Sequence, residues 1–293
     1  MFSKLTASRM STSQDAVLIV RFATSMFFLL LMAAAAISAP IASGAWPKYS
    51  VITVLFSPTD WSIDSAEVQS EAAAIRSAME EIEQFYSRSL GGRGFRFNDL
   101  EVVQGFGTKE DYHIVWNGKN IYEDGVEFDG NMEHAVVSEL YSRGFPTPPG
   151  QNIDGYSVLM FVKGAGGWAG GRELGDGDGG WAILGDFCID SLQGAVPEGD
   201  YWWSGRNLQI GAAAHELGHT FGLPHPDAYN GNFETTVMGN WWGFPNLGLN
   251  QWEQEYLTAN KGAFIVPESS FVALAALVVA AAAGSRTRFL PCR

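Results

Sequence analysis

The sequence predicts one mixed α/β (α+β) domain, and three observations point that way. A strand-like run lies near residue 50, a long amphipathic helix follows it directly, and about 220 residues continue without an internal repeat or long linker to divide them. With 46% hydrophobic residues the chain can fill one sizeable core. Tyr49 to Phe56 (YSVITVLF) alternates and is rich in β-branched residues, so it reads as a strand. In the next segment Asp64 and Glu67 fit a capping box. Val68, Ala72, Ile75, Met79, Ile82 and Tyr86 then form an apolar stripe at helical spacing that ends at Gly91 and Gly92; such a stripe is core, not a cofactor box. Phe95 to Val103 and Val158 to Val162 read as further strands, and Met132 to Arg143 as a second helix. His134, on that helix, and the lone His113 read as structural. From Gly164 to Gly185 the chain is glycine-rich and reads mostly as loop. Asp176 and Asp178 in it either join backbone carbonyls around Ca2+ or form a solvated acidic loop. A helix is expected from Arg206 or Asn207 to about Phe221, with Ala212, Ala213 and Ala214 allowing close packing, and a closing helix from Leu249 to Thr258.

The chemistry concentrates in His215-Glu216-Leu217-Gly218-His219-Thr220-Phe221-Gly222-Leu223-Pro224-His225. His215 and His219 are four residues apart and project from one helix face, so both reach one metal ion, with Glu216 beside it. Gly222 sits where the helix should stop, since glycine takes the positive φ of a C-terminal cap. Pro224 discourages further helix, and His225 returns as a third ligand, leaving a coordination position open for water. A glutamate next to such a metal can take the proton of an attacking water. The bland alternative, histidines decorating an exposed helix, accounts for a bare H-E-x-x-H but not for the longer pattern, which holds three of the five histidines.

This segment resembles the H-E-x-x-H-x-x-G-x-x-H signature of the metzincin clan of zinc metallopeptidases. The resemblance implies a twisted mixed sheet with an edge strand over the cleft, an active-site helix and a C-terminal helix. It implies Zn2+ on His215, His219 and His225, Glu216 as general base, and a polypeptide substrate. It also implies a methionine turn below the metal, for which Met238 in Thr235-Thr236-Val237-Met238-Gly239-Asn240 is the candidate, 13 residues after His225. In the resembled clan a strand just upstream of the active-site helix forms the sheet edge and pairs with substrate. Trp181, Ala182, Ile183 and Leu184 are the candidates for that role. The segment after the methionine there walls a substrate pocket, so Trp241 and Trp242 either line that pocket or belong to the core. Locally the match is nearest the serralysin type, with two departures: Asn240 stands where serralysins and astacins carry tyrosine, and no calcium-binding nonapeptide repeats follow. Two other functions fit the same residues: a noncatalytic surface or matrix binding protein that keeps the fold, and a zinc amidase acting on nonprotein amides.

The domain is expected to span residues 46–265 between a signal peptide, 1–45, and a sorting or anchor segment, 266–293. Phe22 to Ile37 is an apolar run preceded by Lys4, Arg9 and Arg21 and followed by small residues; it reads as a secretory signal, with a short membrane anchor as the rival. Few residues separate it from the first strand, so no long inhibitory propeptide is expected. Val266-Pro267-Glu268, an apolar stretch from Phe271 to Gly284, then Arg286 and Arg288 resemble the PEP-CTERM sorting signal of Gram-negative bacteria, with Ser269 in place of the usual second proline. That resemblance implies processing by an exosortase-type enzyme, membrane contact only through the tail before processing, and a place at the cell surface or in the extracellular matrix. A glycolipid-anchor signal and an ordinary short anchor are the rivals. Cys292 would leave with the tail, and Cys188 reads as a small buried hydrophobe. Trp46 to Glu268 carries 12 basic and 31 acidic side chains, a formal charge of −19 that repels phosphate backbones and excludes nucleic acid as a partner.

Overall fold

The computed structural model describes residues 49–112, 130–148, 155–167, 169–173, 179–196, 204–229, 231–260 and 264–265. The two terminal segments, His113, Asp176 and Asp178 lie outside the described residues. The architecture is mixed α/β, with one sheet in the order β5-β6-β4-β1-β2-β7 and β3 also paired to β1. Strand β1 (Ser50–Ser57) is its centre. It runs parallel to β4 (Tyr156–Val162) on one side and to β2 (Gly94–Phe97) and β3 (Glu101–Gln104) on the other. All eight of its residues are buried, as a parallel strand covered on both faces requires, although its sequence alternates.

The run from Phe95 to Val103, read as one strand, is two. Val51 pairs with Phe97 and Val54 with Glu101, so four steps along this edge oppose three along β1, which is the count of a β-bulge. The glycine-rich passage is not loop throughout. Ten of its residues form two antiparallel strands, β5 (Ala169–Glu173) and β6 (Gly180–Leu184). Short β7 (Phe264–Ile265) closes the other end against β2.

Helix α1 (Ala66–Ser89) buries the predicted stripe together with Phe85. Its cap is Ser65, not the Asp64–Glu67 box: the Ser65 hydroxyl accepts from the Val68 N–H at 3.2 Å. Helices α2 (Lys109–Tyr112) and α3 (Gly130–Ser142) follow; His134 is exposed on α3. The sequence reading missed α4 (Asp186–Leu192), where the Asp186 carboxylate accepts from the N–H groups of Gly164 and Gly166, both at 2.8 Å. Cys188, on α4, is 2% exposed, and burial pushes its thiol well above the ordinary range. Helix α5 (Arg206–Thr220) lies against β4, β5 and β6 and packs on α1 and α4. Helix α6 (Gln251–Asn260) starts two residues later than expected, because Asn250 serves as its cap.

Lys163 follows β4 and is 4% exposed. Its ammonium donates to the buried Glu71 and, at 2.9 Å, to Glu67, both on α1. Desolvation works against the ammonium, but the bonds to Glu71 and Glu67 outweigh it and hold the Lys163 pKa above its usual value. The pair is thus a charged pin between helix and sheet. Lys163→Met strands the Glu71 carboxylate and is expected to lower stability by about 3 kcal/mol, whereas Lys163→Met with Glu71→Met recovers most of that loss. Urea unfolding midpoints of the two variants check this.

Candidate metal centre

The site is built on the last turns of α5. His215 and His219 point from one face of the helix, and the helix ends at Phe221 with Gly222 at φ 81°. The Leu223 N–H bonds to the Gly218 carbonyl and the Gly222 N–H to that of His219, each at 3.0 Å, the two bonds of a Schellman turn. This turn reverses the chain and brings His225 back to the helix. The Nε2 atoms of His215 and His219 are 3.1 Å apart, those of His219 and His225 3.1 Å, and those of His225 and His215 3.3 Å.

Hydrogen bonding fixes the ring tautomers. His215 Nδ1 lies 2.9 Å from the Val237 carbonyl oxygen and His219 Nδ1 lies 2.8 Å from that of Leu223. A carbonyl oxygen only accepts, so each Nδ1 carries the proton and each Nε2 of the neutral ring keeps a bare lone pair. Burial, then the neighbouring imidazoles, hold the His215 pKa down at about 3 against the Val237 bond, so this ring stays neutral. Lone pairs facing one another at this range repel unless a cation lies between them. Tetrahedral ligands with zinc–nitrogen bonds of about 2.0–2.1 Å stand about 3.3 Å apart, which these distances match. The three histidines therefore fit zinc, and among the described residues they form the one group of metal-ligating side chains close enough to share an ion.

Met238 lies beneath them, fully buried. Its position depends on Gly218, where an added Cβ would stand 2.4 Å from the Met238 sulfur. Tyr86 braces the same helix from α1, its hydroxyl donating to the Ala214 carbonyl at 2.8 Å. A cleft of about 410 Å³ opens over the histidines, and Glu216, Met238, Gly239, Trp241 and Phe233 line it. Its remaining wall is Ala169, Gly170 and Gly171 of β5.

That wall corrects the expected edge strand. Trp181, Ala182, Ile183 and Leu184 form β6, which is paired on both sides, to β4 and to β5, and all four are buried. Their backbone groups are spent inside the sheet. Among the described residues the sheet edge is β5, one strand further out. The misreading has a physical cause: apolar content selected the buried strand, whereas an edge strand of sequence AGGRE carries almost no hydrophobic signal. Gly171 on β5 approaches the helix so closely that an added Cβ would stand 2.3 Å from the Glu216 carbonyl oxygen. Burial raises the Glu216 carboxyl to about 7, against a smaller lowering by the nearby Gly171 backbone. The two tryptophans separate. Trp241 lines the cleft, but Trp242 is 53% exposed and away from it. Phe233, 45% exposed in the cleft, was not singled out from the sequence, where nothing but aromatic character marks it.

No protein-family model matches this chain, and no curated protein matches it. Among solved structures it is similar to catalytically inactive OgpA from Akkermansia muciniphila, determined with an O-glycopeptide substrate, at 14% identity and a TM-score of 0.41, over 74% of this chain and 61% of that one. It is also similar to archaemetzincin from Methanopyrus kandleri, at 17% identity and a TM-score of 0.36, over 73% of this chain and 97% of that one. This chain thus spans about three fifths of the length of OgpA. Likenesses this loose identify no family.

Proposed function

We propose that this chain is a zinc-dependent endopeptidase of metzincin type. The observation that carries the reading is the convergence of three Nε2 atoms within 3.3 Å of one another, next to a glutamate, in an open cleft walled by a sheet edge. His215, His219 and His225 would hold the ion. Zinc in this position supplies a Lewis acid and makes water acidic enough to deprotonate near neutral pH. Among the described residues β5 is the outer strand of the sheet, and its outward backbone groups would hold a peptide extended along the cleft. Glu216, beside the Gly171 backbone, accepts a proton from the attacking water as its oxygen bonds to the carbonyl carbon. The same carboxyl then delivers that proton to the amide nitrogen as the C–N bond breaks, leaving a carboxylic acid and an amine, and the acid's remaining proton passes to the amine to give a carboxylate and an ammonium. Export of the domain is part of this proposal and rests on the apolar segments 22–37 and 271–284 with their basic flanks.

Cleavage of a diverse peptide library by the purified chain tests the reading. Activity is expected to vanish with a zinc chelator and return with added zinc. Glu216→Gln is expected to keep bound zinc and lose at least about 100-fold in kcat, the usual contribution of a general base. Zinc uptake without any peptide cleavage by the unsubstituted chain would move the assignment to a nonpeptide amide or to a binding role.

A further inference from the structure

Glu253 on α6 is fully buried, and its carboxylate has no cationic partner among the described residues. Part of its bonding is a helix cap. Asn250 Oδ1 accepts from the Glu253 N–H at 3.0 Å, and the Glu253 carboxylate accepts from the Asn250 N–H at 2.8 Å, the reciprocal pair of a capping box. A cap does not account for the rest. The Thr236 hydroxyl donates to the carboxylate, with oxygens at 2.5 and 2.6 Å, and the Tyr229 hydroxyl donates at 2.7 Å.

The direction of those two bonds is fixed by their neighbours. The Tyr229 oxygen accepts from the Asn250 side-chain amide at 2.8 Å, and the Thr236 oxygen accepts from the Met238 N–H at 3.3 Å. Each hydroxyl thus gives its own proton to Glu253. Both partners stand one step from a metal-binding histidine. Thr236 precedes Val237, whose carbonyl orients His215, and Tyr229 ends the 3-10 turn Pro226–Tyr229 that starts directly after His225.

We infer that Glu253 is a positioning residue of the metal centre, its carboxylate fixing from a single point both the carbonyl that orients His215 and the turn that carries His225. The inference rests on the zinc reading and is tested apart from peptidase activity, through zinc affinity. Glu253→Gln keeps a residue suited to the cap but presents an NH2 group to hydroxyls already committed as donors. Thr236→Val removes one hydroxyl at nearly constant shape and leaves the cap untouched. In the full chain, with zinc affinity measured by competition against a chelating dye, each substitution is expected to weaken zinc about tenfold. Because the only bond lost in Thr236→Val to this carboxylate is one that Glu253→Gln also disrupts, the double variant should weaken it no further than the stronger single variant. Thermal midpoints of the zinc-free proteins read the purely structural effect separately. Unchanged zinc affinity in both single variants, whatever the midpoints do, overturns the role and leaves Glu253 a helix cap. Failure of the unsubstituted chain to take up zinc overturns the metal reading itself, and this inference with it.

Discussion

Three imidazole nitrogens held within 3.3 Å of one another, those of His215 and His219 with bare lone pairs, are the constraint to which the rest of the domain answers. Such an arrangement is repulsive without a cation, so rigid backbone must impose it. Helix α5 sets two of the rings through its i, i+4 geometry, and the turn at Gly222 sets the third. The carbonyls that orient the rings come from different places. Leu223 belongs to the turn itself, whereas Val237 belongs to a segment separated from the helix by the excursion through residues 226–235. The metal centre is therefore as precise as the docking of that segment, which is why Met238 against Gly218 and Thr236 against Glu253 matter to it.

The helix is in turn fixed to the sheet by the absence of side chains. Gly171 brings the backbone of β5 against Glu216, and any larger residue would part strand from helix. One contact thus sets how closely this strand approaches the helix that carries His215 and His219. From the opposite side Tyr86, Phe95 and Phe221 pack edge-on or tilted with centroids 5.6–5.7 Å apart, and Tyr86 bonds to the same helix turn. Strand, aromatic cluster and methionine hold α5 from separate directions.

Much of this was legible in the sequence, and what was not shares a physical cause. Ligand spacing is local: four residues on a helix, then glycine and proline, fix His215, His219 and His225 without reference to the fold. Apolar periodicity likewise located β1 and α1. The edge strand was misplaced because free edges are recognised by what pairs with them, and AGGRE has neither alternation nor bulk. Glu253 carries a faint signal, the Asn250-x-x-Glu253 cap, but its bonds to Tyr229 and Thr236 cross 24 and 17 residues of chain, and no periodicity reports such contacts. The bulge after Phe97 is equally silent, since one extra residue leaves the composition of a strand unchanged.

Asn240 shows how the same distinction bears on chemistry. At the position where the resembled serralysins and astacins carry a tyrosine, the Asn240 amide donates to the Glu234 carbonyl at 3.2 Å, and Asn240 is not among the residues that line the cleft. The side chain is engaged in holding the 3-10 turn Phe233–Thr235, the turn that puts the Phe233 ring into the cleft. Among the described lining residues Glu216 is the sole carboxylate, so in the proposed reaction the proton that leaves water and the proton that reaches the amine both pass through it. A tyrosine at this position would add a donor at the metal. Here the position instead holds the turn that carries Phe233, a residue of the cleft lining.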